Sequence, residues 1–182
     1  MATSAFTPPR LAVGEHALRP FRSDDAAAWY AYLSDARVTE HTSWPSITPE
    51  LITSLVAKTI ADYASRESLR WALARADDDK LIGSCGYNRW AREQGTAELA
   101  YDLAPRYWGF GLMSEAVRAA VAWALGTGSL SRVEAYVMTT NEPSIHVLER
   151  TGFRREGLRV GHRVARGVPR DFYLYSIVAA AG

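Results

Sequence analysis

The chain has 182 residues, 48% of them hydrophobic and 23% charged, with a formal net charge of +1. That length predicts one domain spanning 1–182, with a core that needs no covalent staples. The near-neutral charge gives no whole-molecule attraction to nucleic acid or an anionic membrane, so neither is expected as a partner. The single cysteine, Cys85, excludes an internal disulfide.

No window approaches the ~18 uninterrupted apolar residues of a bilayer span. The first twenty residues carry no basic stretch followed by an apolar run, so a cytoplasmic protein is expected. Residues 1–13 read as a tail leading into a strand at His16–Phe21, since Pro8 and Pro9 disfavour helix. Ser23 is the expected N-cap of a first helix through Trp29, Tyr30 and Leu33, with Asp24 and Asp25 in its first turn. A second helix starts at Thr48 as N-cap and Pro49 at N1, with Leu51, Leu55, Ile60 and Tyr63 as its apolar face. Between them lies the loop Glu40-His41-Thr42-Ser43-Trp44-Pro45.

The middle of the chain is strand-like. Arg70–Arg75 alternates, with Trp71 and Leu73 on one side, and Asp77–Lys80 is a polar turn into Leu81–Tyr87. Gly83 and Gly86 relax that return strand. Cys85 within it reads as a small buried hydrophobe rather than a nucleophile. Arg92–Gly95 turns into a strand at Thr96–Leu103, where Ala97, Leu99, Tyr101 and Leu103 alternate with Glu98, Ala100 and Asp102. A turn over Pro105–Gly111 leads to a helix at Ser114–Leu125, ended by Gly126 and Gly128. A strand at Arg132–Met138, a helix at Pro143–Arg150 capped by Gly152, and a closing strand at Phe172–Val178 follow. Antiparallel runs around one strand–helix–strand crossover predict a mixed sheet of α/β (α+β) class.

The segment from Arg106 through Gly109-Phe110-Gly111 to Leu112-Met113-Ser114 carries the chemistry. A strand ends, two glycines space a turn, and an amphipathic helix begins. The first amides of that helix have no intrahelical acceptor, and its dipole is positive at the same end. Glycines there let a ligand reach the backbone, so the turn suits a phosphate or pyrophosphate. A dinucleotide-fold turn is excluded because Ser114 stands where its third glycine belongs, and no Walker lysine is present. No His, Cys and carboxylate cluster has metal-ligand spacing.

Arg106, Gly109 and Gly111 fit the pattern Arg/Gln-x-x-Gly-x-Gly/Ala. Together with Asn141-x-x-Ser144, Leu148-Glu149-Arg150-x-Gly152-Phe153 and Pro169–Ser176, this resembles the GNAT superfamily of N-acetyltransferases. The similar branch is that of the bacterial ribosomal-protein N-terminal enzymes (RimJ/RimL-like). The likeness runs over roughly residues 16–178. It implies a mainly antiparallel sheet of about seven strands with one splayed pair and about four helices. It implies acetyl-coenzyme A as donor and a small-molecule or peptide amine as acceptor. Leu103, Arg106, Gly109, Phe110, Gly111, Leu112, Met113, Ser114 and Asn141 would hold the donor, with an N–H near Leu103 polarising the thioester.

The tyrosine that many relatives carry seven residues after the asparagine is replaced by Leu148. Ser144 stands at the serine proposed as the acid in the ribosomal branch. The glutamate expected as base is replaced by Arg163, which leaves Glu98, His162 or water for that role, with Glu98 preferred. These departures also motivate a non-catalytic acyl-coenzyme A sensor as the alternative. Arg150, Arg154 and Arg155 are candidates for the 3′-phosphate. His41, Trp44, Trp90 and Trp108 are candidates for the acceptor pocket. Its walls are expected at Glu40–Ile47 and Gly161–Pro169, where His162, Arg163 and Arg166 suggest an acidic acceptor. Oligomeric state is open, a homodimer being the commonest form among oligomers.

Overall fold

The structure is a computed structural model and describes residues 6–126 and 130–179. The described strands are β1 (Leu11–Val13), β2 (His16–Pro20), β3 (Leu69–Ala74), β4 (Leu81–Ala91), β5 (Thr96–Leu103), β6 (Arg132–Met138), β7 (Arg154–Ala165) and β8 (Val168–Val178). All belong to one sheet in the order β1-β2-β3-β4-β5-β6-β8-β7. Every neighbouring pair is antiparallel except β5–β6. The helices are α1 (Asp25–Leu33), α2 (Ala36–Thr39), α3 (Pro49–Ser65), α4 (Leu112–Gly126) and α5 (Glu142–Arg150). Eight strands and five α-helices among the described residues exceed the expected seven and four, because β1 lies in the segment read as a tail and α2 is a single turn. Gly128, expected beyond the end of α4, lies outside the described residues.

Helices cover both faces of the sheet. Trp29, Tyr32 and Leu33 of α1 pack with Ile52 and Val56 of α3 over Ala72 and Leu81. On the other face, Ala116, Val117, Ala120, Val121 and Ala124 of α4 pack with Leu148 of α5 over Trp71, Leu73, Tyr87, Leu99 and Val133. β3 is therefore buried at every position rather than on one side, as its alternation suggested. At Gly86 a Cβ would lie 2.3 Å from the Leu69 carbonyl oxygen, so the glycine permits a close approach of β3 rather than loosening the sheet.

Two helix readings change. The buried stripe of α3 is Ile52, Val56, Thr59, Asp62 and Tyr63, while Ile60 is exposed. Thr48 does cap α3, accepting from the Leu51 N–H. At α1 the cap position is Asp24, without a side-chain cap bond. Asp25 instead takes the Arg22 N–H at 2.7 Å and a two-pronged ion pair from Arg19 at 2.7 and 2.8 Å, both side chains buried.

The end of α5 explains a stretch of sequence that reads as a signature. Phe153 N–H donates to Leu148 and Gly152 N–H to Glu149, with Gly152 at φ 91°. This is a Schellman stop, and Leu148 and Phe153 share the core beneath it. The turn returns the chain as β7, which folds back on β8 so that the last strand sits between β6 and β7. β7 is left as an edge, carrying Arg154, Arg155 and Arg159 in exposed positions that discourage further strand pairing.

The Arg19–Asp25 pair ties β2 to the start of α1. Asp25→Ala leaves a buried guanidinium short of its carboxylate and is expected to cost about 3 kcal/mol in urea denaturation. A loss below about 1 kcal/mol would show that Asp79 and the backbone carbonyls already satisfy Arg19.

Candidate active site

β5 and β6 part company early. Their parallel register covers only Thr96↔Arg132, Ala97↔Val133 and Glu98↔Glu134. β5 runs on to Leu103 and β6 to Met138 without pairing. On its other edge β5 stays paired with β4 as far as Leu103. The Ala104 N–H donates to the Ile82 carbonyl at 2.9 Å, so Ala104 faces β4. Antiparallel alternation then turns the N–H and C=O of Leu103, and those of Tyr101, toward the gap. The Leu103 carbonyl accepts the Trp108 indole N–H at 2.8 Å, as that orientation requires. The gap thus exposes a strand edge with amides to offer.

The chain leaves β5 through a tight turn at Pro105–Tyr107 and a bend to α4. Gly109 and Gly111 have φ 84° and 78°, the left-handed region that disfavours side chains. A Cβ at either would meet nothing within 4 Å, so both face open space. The Gly111 carbonyl accepts from the Glu115 N–H at 3.2 Å, which leaves the amides of Leu112, Met113 and Ser114 without acceptors inside the helix. The expected anion turn therefore has the required geometry.

A cavity of about 610 Å³ joins these features. Glu98, Leu103, Gly109, Gly111, Leu112, Met113, Ser114, Asn141 and Ser144 all line it. Arg106 and Phe110 do not. The Arg106 guanidinium lies 4.9 Å from the Tyr107 ring and lines a different cavity, and the Phe110 side chain is 81% exposed. Asn141 is the N-cap of α5, its Oδ1 accepting from the Ser144 N–H at 3.2 Å. Of the three arginines expected near a 3′-phosphate, only Arg150 lines the cavity.

The cavity passes through the sheet. Tyr101, Ser144 and Leu148 line it on the α4–α5 face; Glu98, Ala100, Asp102 and the segment Val38–Trp44 line it on the α1–α3 face. Here Glu98 accepts from Arg163 at 2.8 Å. Glu134, beside it in register, takes Arg132 Nε at 2.8 Å, while the terminal nitrogens of that arginine go to Glu156. The arginine at the expected base position thus partners the glutamate on β5.

Of the three basic residues expected at the acceptor wall, only Arg163 lines the cavity. His162 stacks on Tyr136 at 4.4 Å and does not line the cavity; burial and then Arg163 hold its pKa below the usual histidine range. Arg163 serves Glu98, and Arg166 donates to the Thr39 carbonyl at 3.1 Å. Trp90 is likewise no pocket residue. It packs on Tyr87 and Trp123, with ring centroids 5.0 and 5.6 Å away. His41, Trp44 and Trp108 do line the cavity.

Two features were missed by the sequence reading. Asp102 lies at the centre of a polar cluster. It accepts from Trp29 at 3.2 Å, Ser84 at 2.6 Å and Arg70 at 2.8 Å, and also from the Tyr32 hydroxyl. Burial, then the Asp102 charge, raises the Tyr32 pKa and keeps that phenol a donor. The second is Tyr101, whose hydroxyl lies 2.7 Å from Ser144 Oγ. Alternation placed Asp102 in phase with Glu98, which was the one available signal; nothing local links Tyr101 to Ser144. No group of three His, Cys, Asp or Glu side chains able to hold a metal occurs among the described residues.

Comparison with known proteins agrees with this geometry. Residues 17–154 match the acetyltransferase (GNAT) domain family. The chain is 32% identical over 162 residues to the uncharacterized N-acetyltransferase YoaA of Bacillus subtilis (strain 168), covering 88% of this chain and 92% of that protein. Among solved structures, Mycobacterium smegmatis RimJ in complex with CoA-disulfide superposes with a TM-score of 0.84 at 26% identity, covering 97% of this chain and 88% of that one. The ribosomal-protein-S5-alanine acetyltransferase of Vibrio fischeri shares the fold at a TM-score of 0.85 and 22% identity, covering 95% and 98%.

Cys85 is fully buried on β4, and burial pushes its thiol up to about 12. The native protein at pH 8 is expected to give no thiol reaction with Ellman's reagent within minutes, and one thiol per chain in denaturant. Rapid native labelling would contradict the burial.

Proposed function

The chain belongs to the GNAT acetyltransferase family, and on that premise we propose that it transfers the acetyl group of acetyl-coenzyme A directly to a primary amine within one ternary complex. The acceptor is a protein N-terminus or a small-molecule amine. The observation that carries this reading is the unpaired edge of β5 ending at a glycine turn and a helix N-terminus. An extended amide-bearing arm fits the edge as an added strand, and a diphosphate fits the helix start.

In this reading the amides from Gly109 to Ser114 bind the pyrophosphate. Arg106 and Phe110 contribute through the backbone of the turn rather than through their side chains. Asn141 keeps its capping bond and offers its side-chain amide to the arm. The Leu103 N–H, aimed into the gap, stabilises charge developing on the acyl oxygen. An amine is protonated in water near neutral pH and must lose a proton before attack. Glu98, held by Arg163 on the acceptor side of the gap, takes that proton directly or through a water. Ser144, on the opposite side, hydrogen-bonds the departing sulfur. Cys85 is buried and forms no acyl-enzyme.

Screening acetyl-coenzyme A against a library of amines and peptides, with mass-spectrometric detection of acetylated products, identifies the acceptor. Glu98→Gln is then expected to lower kcat/KM about 100-fold while coenzyme A affinity stays within about 2-fold. Full activity in that variant would move the proton to water.

Gly111→Asp sets a side chain in a left-handed position and a carboxylate where the diphosphate lies. Coenzyme A binding measured by calorimetry is expected to weaken at least about 10-fold. Unchanged affinity would remove the pyrophosphate assignment.

A further inference from the structure

The Tyr101 hydroxyl approaches two oxygens of one residue, Ser144 Oγ at 2.7 Å and the Ser144 carbonyl at 3.1 Å. It has one proton to give. The carbonyl belongs to the first turn of α5 and receives a helical N–H four residues on. No other described side chain or amide bonds the Oγ. The shorter contact also lies at the usual O–H···O distance.

The shorter contact therefore favours donation to Oγ. Burial raises the Tyr101 pKa further, so the phenol keeps its proton. With one lone pair of the serine occupied by the phenol, the serine's own hydrogen is free to point elsewhere. Ser144 lines the cavity beside the free edge of β5, and the open direction is the gap.

We propose that Tyr101 is a positioning residue, which fixes the Ser144 hydroxyl as a hydrogen-bond donor to the coenzyme A sulfur. This rests on the proposed role of Ser144. The phenol comes from β5 because α5 has no tyrosine to offer: Leu148, one turn beyond Ser144, is buried in the core. In the transfer, the carbon–sulfur bond breaks with its electron pair on sulfur. The Ser144 O–H stabilises that anion and is not itself consumed. If Tyr101 were removed, the serine hydroxyl could turn to other acceptors and the sulfur would lose a fixed donor.

Coenzyme A itself reads this arrangement without any acceptor. Its affinity is compared with that of desulfo-coenzyme A, by calorimetry, at pH 7 and pH 9. A donor fixed on the sulfur favours the thiolate, so the preference for coenzyme A must grow as pH rises. An alkyl thiol of pKa about 9.5, roughly a unit above the cysteine value, lowered by one unit on binding gives about a 3-fold growth across that interval. Other groups near the pair are Cys85 across β4, and His146 and Arg150 on the cavity wall. Any pull they exert on a thiolate is the same in the wild type and the variants, so the difference between proteins isolates the hydroxyl pair.

The wild-type chain is expected to show the growth, and Tyr101→Phe and Ser144→Ala to flatten it to less than about 1.5-fold. The double variant is expected to match either single one, since the two hydroxyls act as a unit. Desulfo-coenzyme A should bind all four proteins equally, which also reports that they are folded. Undiminished growth in Tyr101→Phe would overturn the inference while leaving Ser144 in place. A flat ratio in the wild type would overturn both roles. Failure of desulfo-coenzyme A to bind the wild type would instead refute the cofactor reading itself.

Discussion

The parallel ladder between β5 and β6 stops after Glu98 and Glu134, and the site follows from that early end. Backbone amides in a sheet normally satisfy one another. Past Glu98, the β5 amides that face away from β4 have no neighbouring strand. A gap with unsatisfied donors and acceptors in the middle of a sheet is costly in a protein that is only folded for its own sake. It makes sense as a slot for a ligand that brings its own amides.

Several side chains hold the gap at its width. Asp102 ties the far end of β5 to α1 through Trp29 and Tyr32, and to β3 and β4 through Arg70 and Ser84. Charge-assisted bonds of this kind are stronger than neutral ones and specify direction. Trp108 turns back to cap the Leu103 carbonyl. Tyr101 spans to the first turn of α5. Each anchor pulls β5 toward an element other than β6, so the splay is fixed by side chains and not by looseness of the backbone.

The same gap separates two chemical environments. The α4–α5 face carries hydroxyls and helix amides, suited to a sulfur and a diphosphate. The α1–α3 face carries Glu98 with Arg163, the aromatic rings of Trp44, Tyr136 and Phe172, and the segment from Val38 at the end of α2. A thioester and an amine must be held in contact to react, and the cavity through the sheet gives each its own approach.

Much of this was legible in the chain itself. The bounds of β5 and β6, the Thr48 cap and the glycine turn depend on contacts between near neighbours, where alternation, caps and positive φ leave marks in local sequence. The buried stripe of α3, the burial of both faces of β3 and the true partners of Asp25 were not, because they depend on which surface another element covers. Arg163 reaches Glu98 across 65 residues, Tyr101 reaches Ser144 across 43, and Arg70 reaches Asp102 across 32. Such pairings are set by sheet order and register, which bring distant strands within hydrogen-bond reach. Sequence by itself therefore determined the glycine turn and the helix start that follows it, and only the tertiary structure decided which side chains meet on either side of the gap.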